Sequence, residues 1–146
     1  MKLTSPTFEA NQPIPSKYTC DGANHHPPLT VSQVPNEAQS LALVLEDPDA
    51  PKKGFTHWLL FDIPPSTREI SEQEKPLSGT DGVNDFGVLG YRGPCPPSGT
   101  HHYVFTLFAL DTKLALAEGA LKGEVLTKMQ GHILDTAQLV GTYSRR

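Results

Sequence analysis

Three short stretches of the chain carry the side chains best suited to chemistry. The first is Asp47-Pro-Asp-Ala-Pro51, where two prolines fix φ at about −65° and hold two carboxylates on a stiff turn. The second is His57, at the head of the apolar run His57-Trp-Leu-Leu-Phe-Asp-Ile63. The third is Gly93-Pro-Cys-Pro-Pro-Ser-Gly-Thr-His-His-Tyr103. Residues two apart on a strand share a face, so His101 and Tyr103 point together and His102 points away. Singly, each stretch has a plainer reading: a Pro-Asp turn, a hydrogen-bonded surface histidine, a polar strand entry. Together, Asp47, His57, His101 and Tyr103 all sit at strand ends beside loops built from proline and glycine. If those ends meet, they form a small pocket with imidazole and phenol donors and a carboxylate to orient a histidine. Such a site suits a small oxyanion, phosphate or carboxylate. A carboxylate beside a histidine favours the imidazolium, which keeps the ring a donor near neutral pH.

The same residues allow a second chemistry. Asp47, His57 and His101 are two histidines and a carboxylate, the ligand set of some non-haem iron sites, or an acid–base group for a phosphoester. No activated nucleophile stands beside them. The chain has no Walker loop, Rossmann glycine pattern, HExxH or Gly-x-Ser-x-Gly elbow. A binding protein without cofactor or metal is therefore the expectation, and a small enzyme the alternative.

The elements that must position these residues are mostly strands. Ser40-Leu-Ala-Leu-Val-Leu45 is apolar on both alternating faces, as a strand covered on both sides would be. His57–Ile63 reads the same way and stops at Pro64-Pro65. His101–Leu110 is a third strand, rich in aromatic and β-branched residues. Between the second and third, Ser78–Ser98 is long and dense in glycine and proline, which reads as a built site rather than a linker. Thr112–Gly119 suits a short helix. From Gly123 to Val140, apolar residues recur at Val125, Met129, Ile133 and Ala137, the stripe of an amphipathic helix, with Gly141 as its stop. The expected fold is mostly β, a sheet structure with a C-terminal helix and one short additional helix, in a single domain over residues 1–146.

Composition narrows the classes further. The 146 residues carry 12 basic and 16 acidic side chains, a net charge of −4, with no concentrated basic face, which disfavours nucleic acid. The longest clean apolar run, Leu41–Leu45, is far short of the ~20 residues of a membrane helix. No signal-peptide stretch follows Lys2, so a cytoplasmic location is expected. There, Cys20 and Cys95 would normally stay reduced, although spacing alone leaves their pairing open. The 14 prolines and 12 glycines imply many shaped loops.

At this point the chain resembles the phosphatidylethanolamine-binding proteins, the family that includes Raf kinase inhibitor protein, and most closely its short bacterial and archaeal branch. Asp47-Pro-Asp-Ala-Pro51 is similar to the family's DPDxP signature. His57-Trp58 with Leu59–Pro64 resembles the block after it. Gly93-Pro-Cys-Pro-Pro97 with the His-x-Tyr of residues 101–103 resembles the second signature. Cys20-Asp-Gly22, Asn84-Asp-Phe-Gly87, Gly131-His132 and Gly141-Thr-Tyr143 extend the likeness over nearly the whole chain. The resemblance implies an antiparallel β-sandwich with a C-terminal helix and a shallow anion pocket for phosphate-bearing head groups. It assigns Asp47, His57, His101 and Tyr103 to that pocket, Phe55 to its mouth, and Tyr91, Cys95 and Pro97 to its loop side. Asp49, His102, Pro48 and Pro51 would support it from behind, with Ala50–Pro51 a cis bond. It also implies a homodimer and a role as regulator or inhibitor of a kinase or serine protease. One departure stands out: the family usually has Arg where this chain has His102, so that brace is only partly charged at neutral pH.

Overall fold

The computed structural model describes residues 1–51, 54–72 and 79–145. In chain order the strands are β1 (Lys2–Thr4), β2 (Leu29–Ser32), β3 (Ser40–Asp47), β4 (Phe55–Ile63), β5 (Glu69–Ile70), β6 (Thr80–Asp81), β7 (Thr100–Leu110) and β8 (Ile133–Ser144). A single α-helix among the described residues, α1 (Lys122–Met129), precedes β8. The strands make two antiparallel sheets, ordered β1-β2-β5 and β6-β4-β3-β7-β8.

β3 is the middle of the larger sheet because both its faces are apolar. Leu41, Leu43 and Leu45 meet Leu3, Leu29 and Val31 of the small sheet, together with Phe105 and Leu107 of β7. Ala42 and Val44 point the other way, with Leu59 and Phe61 of β4, onto Leu114, Val125 and Met129. The large sheet is thus buried on both sides, by the small sheet on one and by α1 and its preceding loop on the other. Each fully buried leucine contributes about 1.5–3 kcal/mol of transfer free energy, so this central strand anchors the fold.

The C-terminal helix is shorter than its apolar stripe predicts. It ends at Met129, Gly131 turns the chain at φ +80°, and residues 133–144 form β8. The misreading has a simple cause: positions four apart share a face in a strand as well as in a helix. Ala137 and Leu139 face the core with period two, and β8 pairs with β7 from Thr100–Ser144 to Leu110–Ile133. Gly141 is therefore not a helix stop. It lies inside β8, where an added Cβ would fall 2.5 Å from Ile14 Cγ1.

The short additional helix expected at Thr112–Gly119 is absent. The Asp62 carboxylate accepts the Leu114 and Ala115 N–H groups at 2.7 and 2.9 Å, and Ala115 adopts φ +55°, so the segment follows a side chain instead of its own ladder. Among the described residues the other helical element is a 3-10 turn at Ser16–Tyr18. Ser78, where the expected glycine–proline loop begins, lies outside the described residues.

Candidate functional site

Antiparallel pairing puts the C-terminal end of β3 beside the N-terminal ends of β4 and β7. The sequence has its polar residues at just those ends: Asp47 on β3, His57 on β4, His101 and Tyr103 on β7. Asp47 continues the Leu41–Leu43–Leu45 face, and His101 and Tyr103 continue the Phe105–Leu107 face, which is the same side of the sheet.

His57 needs a special device to join them. Leu59 and Phe61 face the helix side, and simple alternation would send His57 there too. Instead the ladder steps from Leu45–Trp58 to Glu46–Thr56, leaving His57 as an extra residue in β4. Such a bulge re-aims a side chain, and here the imidazole comes to lie 5.4 Å from the Tyr103 ring, centroid to centroid. The backbone holds it there: His57 Nδ1 donates to the Arg92 carbonyl at 2.7 Å, and Arg92 N–H donates to the His57 carbonyl at 3.0 Å.

These ends enclose a cavity of about 150 Å³, lined by Asp47, Pro51, Phe55, His57, Cys95, Pro97, His101 and Tyr103, with Ala50, Phe86 and Pro96. His101 Nδ1–H donates to Asp47 Oδ2 at 2.6 Å, which fixes the plane of the ring. Asp47 Oδ1 accepts the Asp49 N–H at 2.8 Å, closing the turn at Pro48. The Tyr103 hydroxyl is buried near Asp47 and makes no hydrogen bond of good geometry among the described residues. Burial, and then the neighbouring Asp47 charge, push its pKa far above the usual tyrosine value, so it stays a phenol. Burial also holds His57 below the usual histidine value, only partly opposed by the Arg92 carbonyl, so its ring is neutral near pH 7.

The second carboxylate of the turn stands behind. Asp49 Oδ2 accepts both the His102 N–H at 2.8 Å and His102 Nδ1–H at 2.7 Å, and these bonds hold the Asp49 carboxyl below the usual range. Both partners are exposed, so the brace is screened by solvent. The Asp47 carboxylate faces the imidazole and the turn, and no three metal-ligating groups converge among the described residues.

The match of a family model decides the relationship. The phosphatidylethanolamine-binding protein model matches residues 4–144. The chain belongs to this family. A UPF0098 protein of Methanothermobacter thermautotrophicus is 51% identical over 150 residues, covering 99% of either chain. The crystal structure of a phosphatidylethanolamine-binding protein homolog from Chlamydia trachomatis is 41% identical and superposes with a TM-score of 0.95 over 99% of this chain and 97% of that one. The E. coli protein YbcL, described as a member of the mammalian family, is 29% identical with a TM-score of 0.90, over 99% of this chain and 98% of its own.

Within this phosphatidylethanolamine-binding protein fold, several expectations shift. The Ala50–Pro51 bond is trans, since no cis peptide occurs among the described residues. The Asx turn at Asp47 already reverses the chain, and trans is the intrinsically favoured isomer. Tyr91 lies outside the cavity. Its ring packs edge-on against Trp58 and its hydroxyl donates to the Tyr18 carbonyl at 2.6 Å, which makes it a partly buried residue packed against the core. Cys20 and Cys95 are joined in a disulfide, with Cα atoms 5.5 Å apart, beside the Cys20 N–H to Pro94 carbonyl bond.

Phe86 was missed by sequence reasoning. It is 43% exposed at the rim, edge-on to Phe55 at 4.9 Å and to His57 at 5.4 Å. Asn84 positions it: its side-chain oxygen accepts the Phe86 N–H, its amide donates to the Gly90 carbonyl, and Asp85 pairs with the Thr56 backbone. The signal was a buried-type Asn followed by an aromatic in a glycine loop, which has meaning only once the loop is known to fold over β4.

Proposed function

We propose that this cavity binds a small oxyanion, and that phosphate and phosphoethanolamine-like groups are its ligand class. The observation carrying this reading is the buried Tyr103 hydroxyl, without a well-formed hydrogen bond among the described residues, beside a His101 ring held in orientation by Asp47. A buried donor left unpaired costs about 1–3 kcal/mol, and an anionic oxygen in the cavity would recover it. The apolar rim of Phe55, Phe86 and Pro97 would exclude water around the guest and strengthen each hydrogen bond to it. Binding, rather than turnover, fits a site with oriented donors and no nucleophile held against a base.

The test is a titration with inorganic phosphate and with phosphoethanolamine, following the imidazole signals of His57 and His101 by NMR. Both sets of signals should move with one saturation curve. No movement at millimolar anion would overturn the proposal.

A further inference from the structure

We propose that the cavity selects an oxyanion that still carries a proton, and so favours hydrogen phosphate or a singly protonated phosphate monoester over sulfate and phosphodiesters. This rests on the anion-binding reading above and sharpens it. The carrying observation is the direction of the His57 hydrogen bond. The Arg92 carbonyl can only accept, so the proton on His57 must sit at Nδ1. Nε2 of the neutral ring is then a bare lone pair. The ring's bond to the Arg92 carbonyl runs through Nδ1, and the ring lines the cavity.

The walls therefore differ in polarity. Tyr103 offers a hydroxyl for an anionic oxygen, while His57 offers an acceptor. A sulfate would press an oxygen lone pair against Nε2 with no proton between them. A phosphodiester would do the same. Hydrogen phosphate turns its P–OH toward Nε2 and its anionic oxygens toward the donors. Leaving one buried acceptor facing another typically lowers affinity tenfold or more.

Calorimetric titration at about pH 7.5 provides the test, with inorganic phosphate, sulfate, dimethyl phosphate and phosphoethanolamine as probes. Phosphate and sulfate are then both mainly dianions of similar size, differing in one proton. Phosphate should bind at least fivefold more tightly than sulfate or dimethyl phosphate, and a smaller ratio overturns the inference while leaving anion binding intact. Phosphoethanolamine should gain on inorganic phosphate as pH falls toward its second ionisation at about 6. No binding by any probe overturns both readings. His57→Gln, whose amide can donate or accept, should bring the phosphate-to-sulfate ratio within twofold. Because that variant could misfold, the ¹⁵N spectrum of the wild-type histidines gives an independent check. His57 should show a protonated Nδ1 and a bare Nε2, and the opposite tautomer overturns the inference.

Discussion

The His101 ring donates from Nδ1 to Asp47 Oδ2 across 2.6 Å, although 54 residues of chain separate them. Both side chains are nearly inaccessible to solvent. Asp47→Ala would orphan the His101 N–H and the Asp49 N–H together. Expected are a loss of about 1.5–3 kcal/mol in stability and at least a tenfold fall in phosphate affinity. Chemical denaturation and calorimetry read the two separately, and unchanged affinity in a folded variant would remove the dyad from the site.

Acid should weaken the fold through His57. Its native pKa is depressed by burial, while the unfolded chain titrates at about 6.5. Above that value neither state takes the proton, and the contribution is flat. Below it the unfolded state takes the proton first, so stability falls until the native ring titrates too. Asp49 acts lower, below the normal aspartate value of 3.8, and leaves this window untouched. The urea midpoint should drop between about pH 7.5 and 5.5 in the wild type and drop less in His57→Gln.

Asp62 adopts φ +52° and holds the 112–115 segment by two backbone N–H bonds. Asparagine tolerates that conformation and keeps one acceptor, whereas alanine does neither. Asp62→Asn should cost about 1 kcal/mol and Asp62→Ala about 3 kcal/mol. Equal costs for the two variants would show that neither tolerance of the positive φ nor the one retained acceptor holds the segment.

Gly141 leaves room for the Ile14 side chain, whose Cγ1 and Cδ1 lie 2.5 and 2.8 Å from where a Cβ would be. Gly141→Ala should cost about 1–3 kcal/mol by overpacking. In that background Ile14→Ala should cost less than it does alone, a coupling that a double-mutant cycle measures directly. Additive costs would mean the two sites repack independently.

The strands around the site were legible because their patterns admit one answer. β3 and β4 are apolar on both faces, and a proline pair closes β4. The chain after Met129 was not legible, because a four-residue apolar spacing serves either period and only pairing with β7 decides between them. The membership of His57 in the cavity was read from its place at a strand end and from the family likeness, although alternation along β4 argues for the opposite face. Its bulge is a property of register between two strands and leaves no mark in either one alone. Tyr91 and Phe86 exchanged roles for the same reason. Both are aromatics in one glycine-rich loop, and only the anchoring of Asn84 and Asp85 to the strand decides which one reaches the rim.

The bond between Cys20 and Cys95 closes a covalent ring through β2 to β6. A protease that cuts anywhere inside that ring makes two peptides but releases neither. A nick after the Asp47 turn and before Gly93 would separate the carboxylate from its histidine in sequence while keeping them on one molecule. Cleaved protein should thus run at full mass without reductant and fall into fragments with it, and fragments already free before reduction would show that the ring is open.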